Sequence, residues 1–523
     1  MRETRRIARS TGVLAAATGV SRILGFVRDL LLARLFGTTA QAQAFVVAFR
    51  LPNLMRDLVA EGAVTSAFVP VLSWYRAKRE PAEFWRLSQA LGSQLLIVLC
   101  GVGLLGAWAA PVIVRVVAPG FLADPEKFAL TVRLTRILFP FIALVGGWAF
   151  FTGLLNSLRQ FAVPALGPAV LNVAMIAACL WGVPRAEPGI VALALAVIVG
   201  GVIQLAMQVP VALRQGWRWR WRWRHPGSRE ILRLLGPRTV GSAVYQLSVL
   251  VDTALASLSV VVGEGAVAAL YYANRLVQLP LAVFGTASAQ ASLPSLAEQA
   301  ARQDLAAFRA TLVSVLRMVA FVVLPSAAGL IVLATPIVHG LFERGAFDAR
   351  ATTQTAQALA CYALGLLAFA ASKILTGAFY ALKETRVPVR LAMEAMGLNV
   401  LLSVVLMWPL KLNGLALAAA MTNTWNALRL VRQMERRLGL PLGEPLRGPL
   451  ARMAAASLVM MAACGMLWPL LGGWPAWAAL ALVVPAGALV YAMACAAIRV
   501  QEVSTLLRWV RTLPLIQTAF VNE

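Results

Sequence analysis

The sequence predicts an all-α, polytopic membrane protein with 14 transmembrane helices: two six-helix lobes, related by a parallel repeat, and two further helices at the C-terminus. Three observations predict this class. Hydrophobic residues make up 60% of the 523 positions and charged residues only 13%, whereas a soluble domain is about 45–50% apolar and about 25% charged. Apolar stretches of about 20 residues, each long enough to cross a hydrocarbon core of about 30 Å, recur along the chain. A motif of the first half also returns in the second half.

The apolar segments are interpreted as helices, because every backbone polar group must be satisfied within the lipid. Their approximate bounds are 12–36, 43–73, 87–110, 132–157, 161–182, 189–213, 231–259, 266–293, 310–338, 354–381, 387–408, 413–434, 451–471 and 476–498. They define an N-lobe at 1–213, a Trp/Arg-rich loop at 214–230, a C-lobe at 231–437, and a C-terminal region at 438–523 with the last two segments and a tail.

Lysine and arginine residues are concentrated in alternate loops, and this sets the predicted orientation. The basic set comprises the N-terminus, the C-terminus and the loops at 76–86, 214–230, 383–390 and 429–437. The other set holds few basic residues, namely Arg115, Lys127, Arg133, Arg185, Arg344, Arg350 and Lys411. Basic loops face the cytoplasm, so both termini are expected there. The net charge of +25 is therefore mainly a topology signal, and nucleic-acid binding is the weaker explanation.

The internal repeat has an offset of 224 residues. TGLLNSLRQFAVP (152–164) matches TGAFYALKETRVP (376–388), and at the same offset Pro70 corresponds to Pro294. The copies are separated by an even number of segments, so the two lobes should run parallel. Duplicated halves of this kind are common in transporters, with the substrate path between them. Segments 13 and 14 lie outside the duplication.

Charged residues inside the first predicted span are the clearest functional signal. SRILGFVRDLLLARLFG (21–37) carries Arg22, Arg28 and Asp29 within an apolar run. A charge facing the lipid costs at least a few kcal/mol, so these side chains are expected to line a polar cavity between the lobes. Asp29 either orients Arg28 or acts directly.

The second span continues this pattern. Asn53, Arg56 and Glu61 follow one stripe of the predicted helix, and Arg275 lies in the corresponding span of the second lobe. Cavity lining is favoured over buried structural pairing for these arginines. Several guanidinium groups facing one cavity form an anion site, because their planar forks suit phosphate oxygens. A cation exporter would need the opposite sign of charge.

Five other charges within the spans have more ordinary interpretations. Arg34 is expected to extend to the membrane surface, and Arg50, Arg136 and Arg317 are expected to be interfacial or paired structural charges. Asp252 is either a structural partner or an ion or proton site.

Motifs for catalysis or cofactor binding are missing from the sequence. It contains no GxxxxGK[ST], HExxH or GxSxG pattern and no metal-spaced cluster of cysteine and histidine. The five cysteines lie in apolar runs without a CxxC pair, which is typical of buried free thiols. We therefore expect neither a cofactor nor a bound metal, and a transporter rather than an enzyme.

The loop between the lobes contains WRWRWRWRH (217–225). In an extended chain, the tryptophans would fall on one side and the arginines on the other. This pattern favours a loop that rests on anionic headgroups with tryptophan at the interface. Binding of a partner or a nucleic acid is the alternative.

Several stretches resemble the MurJ (MviN) family of lipid II flippases, which act in bacterial cell-wall synthesis. The family belongs to a superfamily that includes multidrug exporters and polysaccharide flippases. The similar stretches are SRILGFVRD (21–29), FRLPNLMRDLVAEGAVTSAFVP (49–70), APGF (118–121), FAVPALGPAVLN (161–172), YYANRL (271–276) and LPSLA (293–297). The resemblance covers nearly the whole chain, and the combination of motifs is specific to the family.

The resemblance implies a V-shaped pair of lobes in the bacterial inner membrane. It implies that Arg22, Arg28, Arg56 and Arg275 bind the pyrophosphate of lipid II. It also implies cavity or gating roles for Asp29, Asn53, Glu61 and Asn172, and a groove at segments 13 and 14 that holds the polyprenyl tail. Some relatives carry a sodium site, of which Asp252 and Asn399 could be a remnant.

Two positions depart from the family pattern. Gln43 stands where some members have an acidic residue, and Asn274 stands where the family has the aspartate of YYADR. An acidic role at either position is therefore not expected here.

The resulting functional hypothesis is a flippase that carries lipid II from the cytoplasmic to the periplasmic leaflet by alternating access, for peptidoglycan biosynthesis. Membrane lipids and cell-wall synthesis proteins are the other expected partners. The alternatives are a flippase for another polyprenyl-pyrophosphate-linked saccharide, a multidrug exporter, or a membrane scaffold that does not transport. The sequence does not identify the energy source.

Overall fold

The computed structural model describes residues 2–56 and 68–503, and these residues form helices and turns without a strand. The helices in chain order are α1 (Arg2–Phe36), α2 (Ala40–Arg56), α3 (Val69–Lys78), α4 (Pro81–Trp108), α5 (Ala110–Val117), α6 (Pro125–Leu138), α7 (Phe141–Ser157), α8 (Ala162–Ala177), α9 (Gly189–Arg214), α10 (Pro226–Ala256), α11 (Ser259–Val262), α12 (Ala266–Pro280), α13 (Ala287–Ala301), α14 (Leu305–Val332), α15 (Ala334–Phe342), α16 (Ala349–Leu364), α17 (Leu366–Ala381), α18 (Arg386–Leu410), α19 (Leu412–Leu438), α20 (Gly443–Leu470) and α21 (Ala476–Ala497).

Within the described residues, eight helical stretches have the length and composition of membrane spans, and the number is ten if each of two bent helix pairs is counted as one span. Eight are single spans: Pro81–Trp108, Pro125–Ser157, Ala162–Arg185, Gly189–Arg214, Leu305–Val332, Arg386–Leu410, Gly443–Leu470 and Ala476–Ala497. The other two are pairs bent by more than 40°, α12 with α13 and α16 with α17. Each of the 14 predicted segments overlaps a helix, and the charged α1, α2, α10 and α19 account for the remaining four. The all-α membrane class is confirmed, and the number 14 stays a prediction.

The described residues divide into two compact units. The first contains the chain up to Ala268 together with Arg344–Phe347, and the second contains the rest. Helix α10 and the turn after it therefore group with the first unit, although the sequence assigned them to the second lobe. The lobe boundaries stay a prediction.

The internal repeat is visible in the helices themselves. When 224 is added to the first residues of α4 to α9, the results lie within one residue of the first residues of α14 to α19. The packing repeats as well: α9 contacts α6, α7 and α8, and α19 contacts α16, α17 and α18 in the same way. The two halves are thus copies of one helical arrangement.

The N-caps of two corresponding helices are repeated too. The side chains of Asp124 and Asp348 cap α6 and α16, accepting from the backbone N–H groups of Lys127 and Ala351 at 3.0 and 2.8 Å. An Asp cap of this kind satisfies a backbone donor that the first helical turn leaves without a partner. It explains why α6 begins at Pro125, seven residues before the predicted start of its segment.

The last two helices pack within the second unit. Helix α20 lies against α14, and α21 lies against α20. The hydroxyl of Tyr491 donates to the carbonyl of Phe321 at 2.8 Å, and Arg317 Nε donates to Glu502 Oε1 at 2.5 Å. Segments 13 and 14 are therefore fixed to α14 by polar contacts as well as by apolar packing.

Candidate functional site

Arg28, Asp29 and Asn172 form a buried polar cluster where α1 packs against α8. Nε and Nη2 of Arg28 donate to Asp29 Oδ1 at 3.0 and 2.7 Å, and Nη1 donates to Asn172 Oδ1 at 2.9 Å. Asn172 Nδ2 in turn donates to the carbonyl of Ser21 at 3.0 Å. Arg28, Asp29 and Asn172 are 7%, 2% and 7% exposed, respectively. The structure thus brings three of the predicted site residues together.

Gly25 of α1 lies beside this cluster. Gly25 lies one turn before Asp29 on α1, and a Cβ at that position would lie 3.4 Å from Asn172 Nδ2. The amide of Asn172 packs beside Gly25 and contacts both the α1 backbone and the guanidinium of Arg28. Asn172 therefore holds the guanidinium from α8 while Asp29 holds it from α1.

The ion pair changes the electrostatics that the sequence alone indicates. Arg28 and Asp29 have opposite charges and contact at 2.7 Å, so the pair carries no net charge. Burying an isolated guanidinium would cost several kcal/mol, and the carboxylate offsets part of that cost. An anion that binds Arg28 must therefore share it with Asp29 or displace Asp29.

The other predicted residues of the first unit are Arg22, Asn53, Arg56 and Glu61. Arg22 is exposed on α1, and among the described residues it has no ion pair or hydrogen bond through its guanidinium. Asn53 is half-buried in α2, and its Oδ1 has no partner within the described residues. Arg56 is the last residue of α2, but its side chain and the whole of Glu61 lie outside the described part of the chain.

Arg275 is a half-buried residue of the second unit, on α12. Its Nη2 lies 3.3 Å from the hydroxyl of Tyr271, and its guanidinium lies 5.2 Å from the centre of the Tyr271 ring. Tyr271 is one helical turn earlier, so the YYANR motif (271–275) itself directs this arginine.

Asp252 and Asn399, the two residues of the possible ion site, fall in different units. Asp252 is half-buried on α10 of the first unit, and Asn399 is buried on α18 of the second. An ion site formed by the two residues stays a prediction.

The remaining arginines of the predicted spans were expected to be either interfacial charges or paired structural charges. Arg50 is a structural contact, because its Nη1 donates to the Val249 carbonyl at 3.2 Å and to the Thr253 hydroxyl. Arg317 is a paired structural charge. Arg34 and Arg136 are exposed, and their location at the membrane surface stays a prediction.

A buried lysine was missed by the sequence analysis. Lys127 is only 4% exposed, its Nζ lies 3.2 Å from Gln43 Oε1 and 3.5 Å from Glu264 Oε2, and it lies 4.3 Å from the centre of the Phe121 ring. The sequence placed Lys127 in a loop because the apolar run starts later. The dipeptide Asp124–Pro125 is a sequence signal for a helix start, and it would have placed Lys127 in the first turn of α6. Gln43, noted as a departure from the family pattern, is thus a partner of Lys127.

Comparison with known proteins identifies the family. Residues 32–484 match the family described as "Lipid II flippase MurJ". The chain belongs to the MurJ family. It is 38% identical over 381 residues to the lipid II flippase MurJ of Burkholderia cenocepacia, covering 72% of this chain and 73% of that protein. It is 33% identical over 486 residues to the probable lipid II flippase MurJ of Vibrio cholerae, covering 91% of each.

Solved structures agree on the fold. A structure of MurJ in an inward closed conformation matches 93% of this chain and 98% of its own, with a TM-score of 0.79 at 24% identity. An inward-facing multidrug resistance transporter of the MATE family and MOP superfamily matches 80% of this chain and 94% of its own, with a TM-score of 0.67 at 13% identity. As a member of the MurJ family with several apolar spans, the chain is a transporter of the lipid flippase type and a multi-span protein of the bacterial inner membrane.

Proposed function

We propose that this chain carries lipid II from the cytoplasmic to the periplasmic leaflet by alternating access, supplying peptidoglycan biosynthesis. Membership of the MurJ family supports lipid II as the substrate. The single observation that supports the mechanism is the buried Arg28–Asp29–Asn172 cluster, because in it the guanidinium of the first predicted span has a carboxylate partner that an anion could replace.

The pyrophosphate of lipid II would be held by Arg22, Arg28, Arg56 and Arg275. Guanidinium groups form paired, charge-assisted hydrogen bonds with phosphate oxygens. The exposure of Arg22 supports a first contact with the incoming headgroup. Asn53, Glu61 and Asn172 would be polar lining residues of the same cavity, with Asn172 positioning Arg28.

Release of the anion requires the arginines to find other partners. Asp29 serves this role for Arg28, because the two side chains already form an ion pair in the described structure. Binding would exchange the carboxylate for the pyrophosphate, and release would restore it. The burial of Arg28 is thereby compensated in both states, which limits the cost of keeping charge in the membrane.

The energy source would act on whatever charge crosses the membrane. The membrane potential contributes about 2.3 kcal/mol per charge per 100 mV. An ion bound near Asp252 or Asn399 is a second possible contribution. The polyprenyl tail would stay in the lipid along α20 and α21, which carry exposed apolar side chains such as Leu458, Val459 and Leu489.

Orientation belongs to the same proposal. Both termini and the loop at 214–230 would lie in the cytoplasm, because the basic loops are on that side.

Complementation tests transport against the scaffold alternative, in which the chain only recruits cell-wall synthesis proteins. In cells depleted of their own lipid II flippase, the unchanged chain should restore growth and shape, and Arg28→Ala should not. Arg115→Ala, at an exposed arginine of α5, is the matched control and should restore both. A scaffold would tolerate both substitutions at equal membrane abundance, and that outcome would exclude the transport mechanism proposed here.

The second candidate is transport of another polyprenyl-pyrophosphate-linked saccharide, since the arginines recognise the pyrophosphate and not the sugar. This candidate would be favoured if the chain restored growth of the depleted cells only when they were supplied with a different lipid-linked saccharide.

A further inference from the structure

The Trp/Arg-rich segment at 217–225 is held against α4, and the transport mechanism does not use it. Gln89 Nε2 donates to the carbonyl of Arg218 at 3.0 Å, and Gln94 Nε2 donates to the carbonyl of Trp223 at 2.7 Å. Between them, the backbone N–H of Arg222 donates to Ser93 Oγ at 3.3 Å. Because α4 binds the backbone of the segment, the side chains are left for other contacts.

Both ends of the segment are anchored. Trp217 is 4% exposed and meets the ring of Phe151 edge-on, with 5.0 Å between ring centres. At the other end, His225 Nδ1 accepts from the backbone N–H of Gly227 and caps α10, while His225 Nε2 lies 3.2 Å from Glu83 Oε2. The segment is therefore a fixed surface of the first unit.

The side chains that this segment presents are aromatic and cationic. Trp219, Trp221 and Trp223 have exposed fractions of 47%, 58% and 49%. The rings of residues 217, 219 and 221 follow one another at 5.8 and 6.2 Å, as expected for alternation along one side. Four exposed arginines alternate with them, and among the described residues none has an acidic partner within 4.0 Å: Arg218, Arg220, Arg222 and Arg224. These seven residues are called the Trp/Arg surface below.

The position of the Trp/Arg surface along α4 matches the edge of the lipid. Helix α4 is one of the candidate spans. Leu96, Ile97 and Val98, which are 45%, 42% and 56% exposed, follow directly after the residues of α4 that hold the segment. Exposed apolar side chains on a span face the lipid. The Trp/Arg surface thus lies beside the point on α4 where the exposed apolar stretch begins, which is where headgroups are expected.

We infer that the Trp/Arg surface binds the headgroups of anionic phospholipids. Tryptophan rings are favoured at the membrane interface, and arginines are attracted to anionic lipids and bind their phosphates. The seven side chains together offer both features, tryptophans along one side and arginines along the other, and the backbone contacts fix their position on α4. An acidic protein or a nucleic acid would use the charges, but it would not require half-exposed tryptophans beside a lipid-facing helix.

Fluorescence quenching by brominated lipids tests the inference. The full chain is reconstituted in phosphatidylcholine vesicles with a small fraction of phosphatidylglycerol, and one of the two lipids is brominated in its acyl chains. At equal bromine content, brominated phosphatidylglycerol should quench tryptophan fluorescence more than brominated phosphatidylcholine does. The variant with Trp219→Phe, Trp221→Phe and Trp223→Phe should lose this excess, which assigns the signal to the surface.

Removal of the charges should reduce the enrichment of phosphatidylglycerol. Loss of one arginine near an anionic membrane is expected to lower binding about fivefold. The enrichment should therefore fall by no less than this factor in the variant with Arg218→Gln, Arg220→Gln, Arg222→Gln and Arg224→Gln. Replacing the same four residues by lysine should keep the excess and shows that the segment still folds. The matched control removes four exposed arginines elsewhere: Arg432, Arg436, Arg447 and Arg452.

Three outcomes would overturn the inference. The excess quenching could persist in the glutamine variant, or it could fall equally in the matched control. Alternatively, the glutamine variant could lose binding to poly-uridylate or polyglutamate in detergent while its lipid preference stays unchanged, which would assign the surface to a macromolecule. Lipid II transport does not enter this measurement, so the proposed function stands or falls separately.

Discussion

The ion pair between Arg28 and Asp29 gives Asp29 a role that can be measured at the scale of one residue. While the carboxylate occupies the guanidinium, it competes with any bound anion. We therefore expect Asp29 to control both how tightly Arg28 binds pyrophosphate and how readily Arg28 releases it. This supports the interpretation in which Asp29 orients Arg28.

Asp29→Asn should raise the affinity for lipid II and lower the rate of transport. The amide keeps a hydrogen-bond acceptor for Arg28 but removes the competing charge, so binding is stronger and release is slower. Binding of lipid II to the purified chain and transport in vesicles measure the two effects. An affinity that falls together with transport would show that Asp29 supports binding directly.

Lys127 and Glu264 provide a second test at this scale. Lys127 is buried, and Glu264 contacts its Nζ at 3.5 Å. Glu264→Gln should lower the unfolding free energy by roughly 1 kcal/mol, because a desolvated ammonium loses part of its compensation.

The double-mutant cycle for this pair uses thermal or denaturant unfolding in detergent. In a Lys127→Met background the same Glu264 substitution should have almost no effect. Glu126→Gln, at the exposed neighbouring residue, is the control. Equal losses with and without Lys127 would show that the pair does not interact.

At the scale of elements, Arg317 and Glu502 tie the chain after α21 to α14. The side chain of Glu502 is 8% exposed and that of Arg317 is 21% exposed, so removing the arginine leaves a buried carboxylate. This contact is the polar part of the docking of the last two helices.

Arg317→Ala should cost about 3 kcal/mol of unfolding free energy, the usual effect of breaking a buried pair. Arg302→Ala, which removes an exposed i,i+4 pair with Glu298, should cost less than about 0.5 kcal/mol. Limited proteolysis of the C-terminal region should also be faster in the Arg317 variant. Similar stability of the two variants would contradict the docking role of Glu502.

Helices and their repeat were predictable from the sequence, but side-chain partners were not. Apolar runs and the match at an offset of 224 located α4, α6 to α9 and their copies, because both signals can be read from the order of residues alone. The pairing of Arg28 depends on Asn172, which lies 144 residues away, and no periodicity reports such a contact.

The bounds were less certain for a physical reason. The apolar run that contains α6 begins after the helix does, because the cap at Asp124 allows Lys127 and Arg133 to enter the first turns. Similarly, α12 and α13 form one apolar run, yet a π-helical turn at Leu281–Thr286 and a bend separate them. Hydrophobicity measures where lipid can contact a helix and does not mark where the helix starts or bends.

At the scale of the whole molecule, the distribution of basic loops predicts that both ends of the chain lie in the cytoplasm. Single cysteines placed at the N-terminus or in the loop at 214–230 should be protected from an impermeant thiol reagent in intact cells. A cysteine near Arg185, in a loop of the opposite set, should be labelled. Labelling in the reverse pattern would show that the topology, and with it the direction of transport, is opposite to the prediction.

The central claim is that arginines within the membrane carry the pyrophosphate of lipid II to the outer leaflet. Its most direct test measures the fraction of lipid II accessible from the periplasm in cells depleted of their own flippase. The unchanged chain and Arg115→Ala should restore the accessible fraction, and Arg28→Ala should leave lipid II in the inner leaflet. Full restoration by Arg28→Ala at equal abundance would contradict the account.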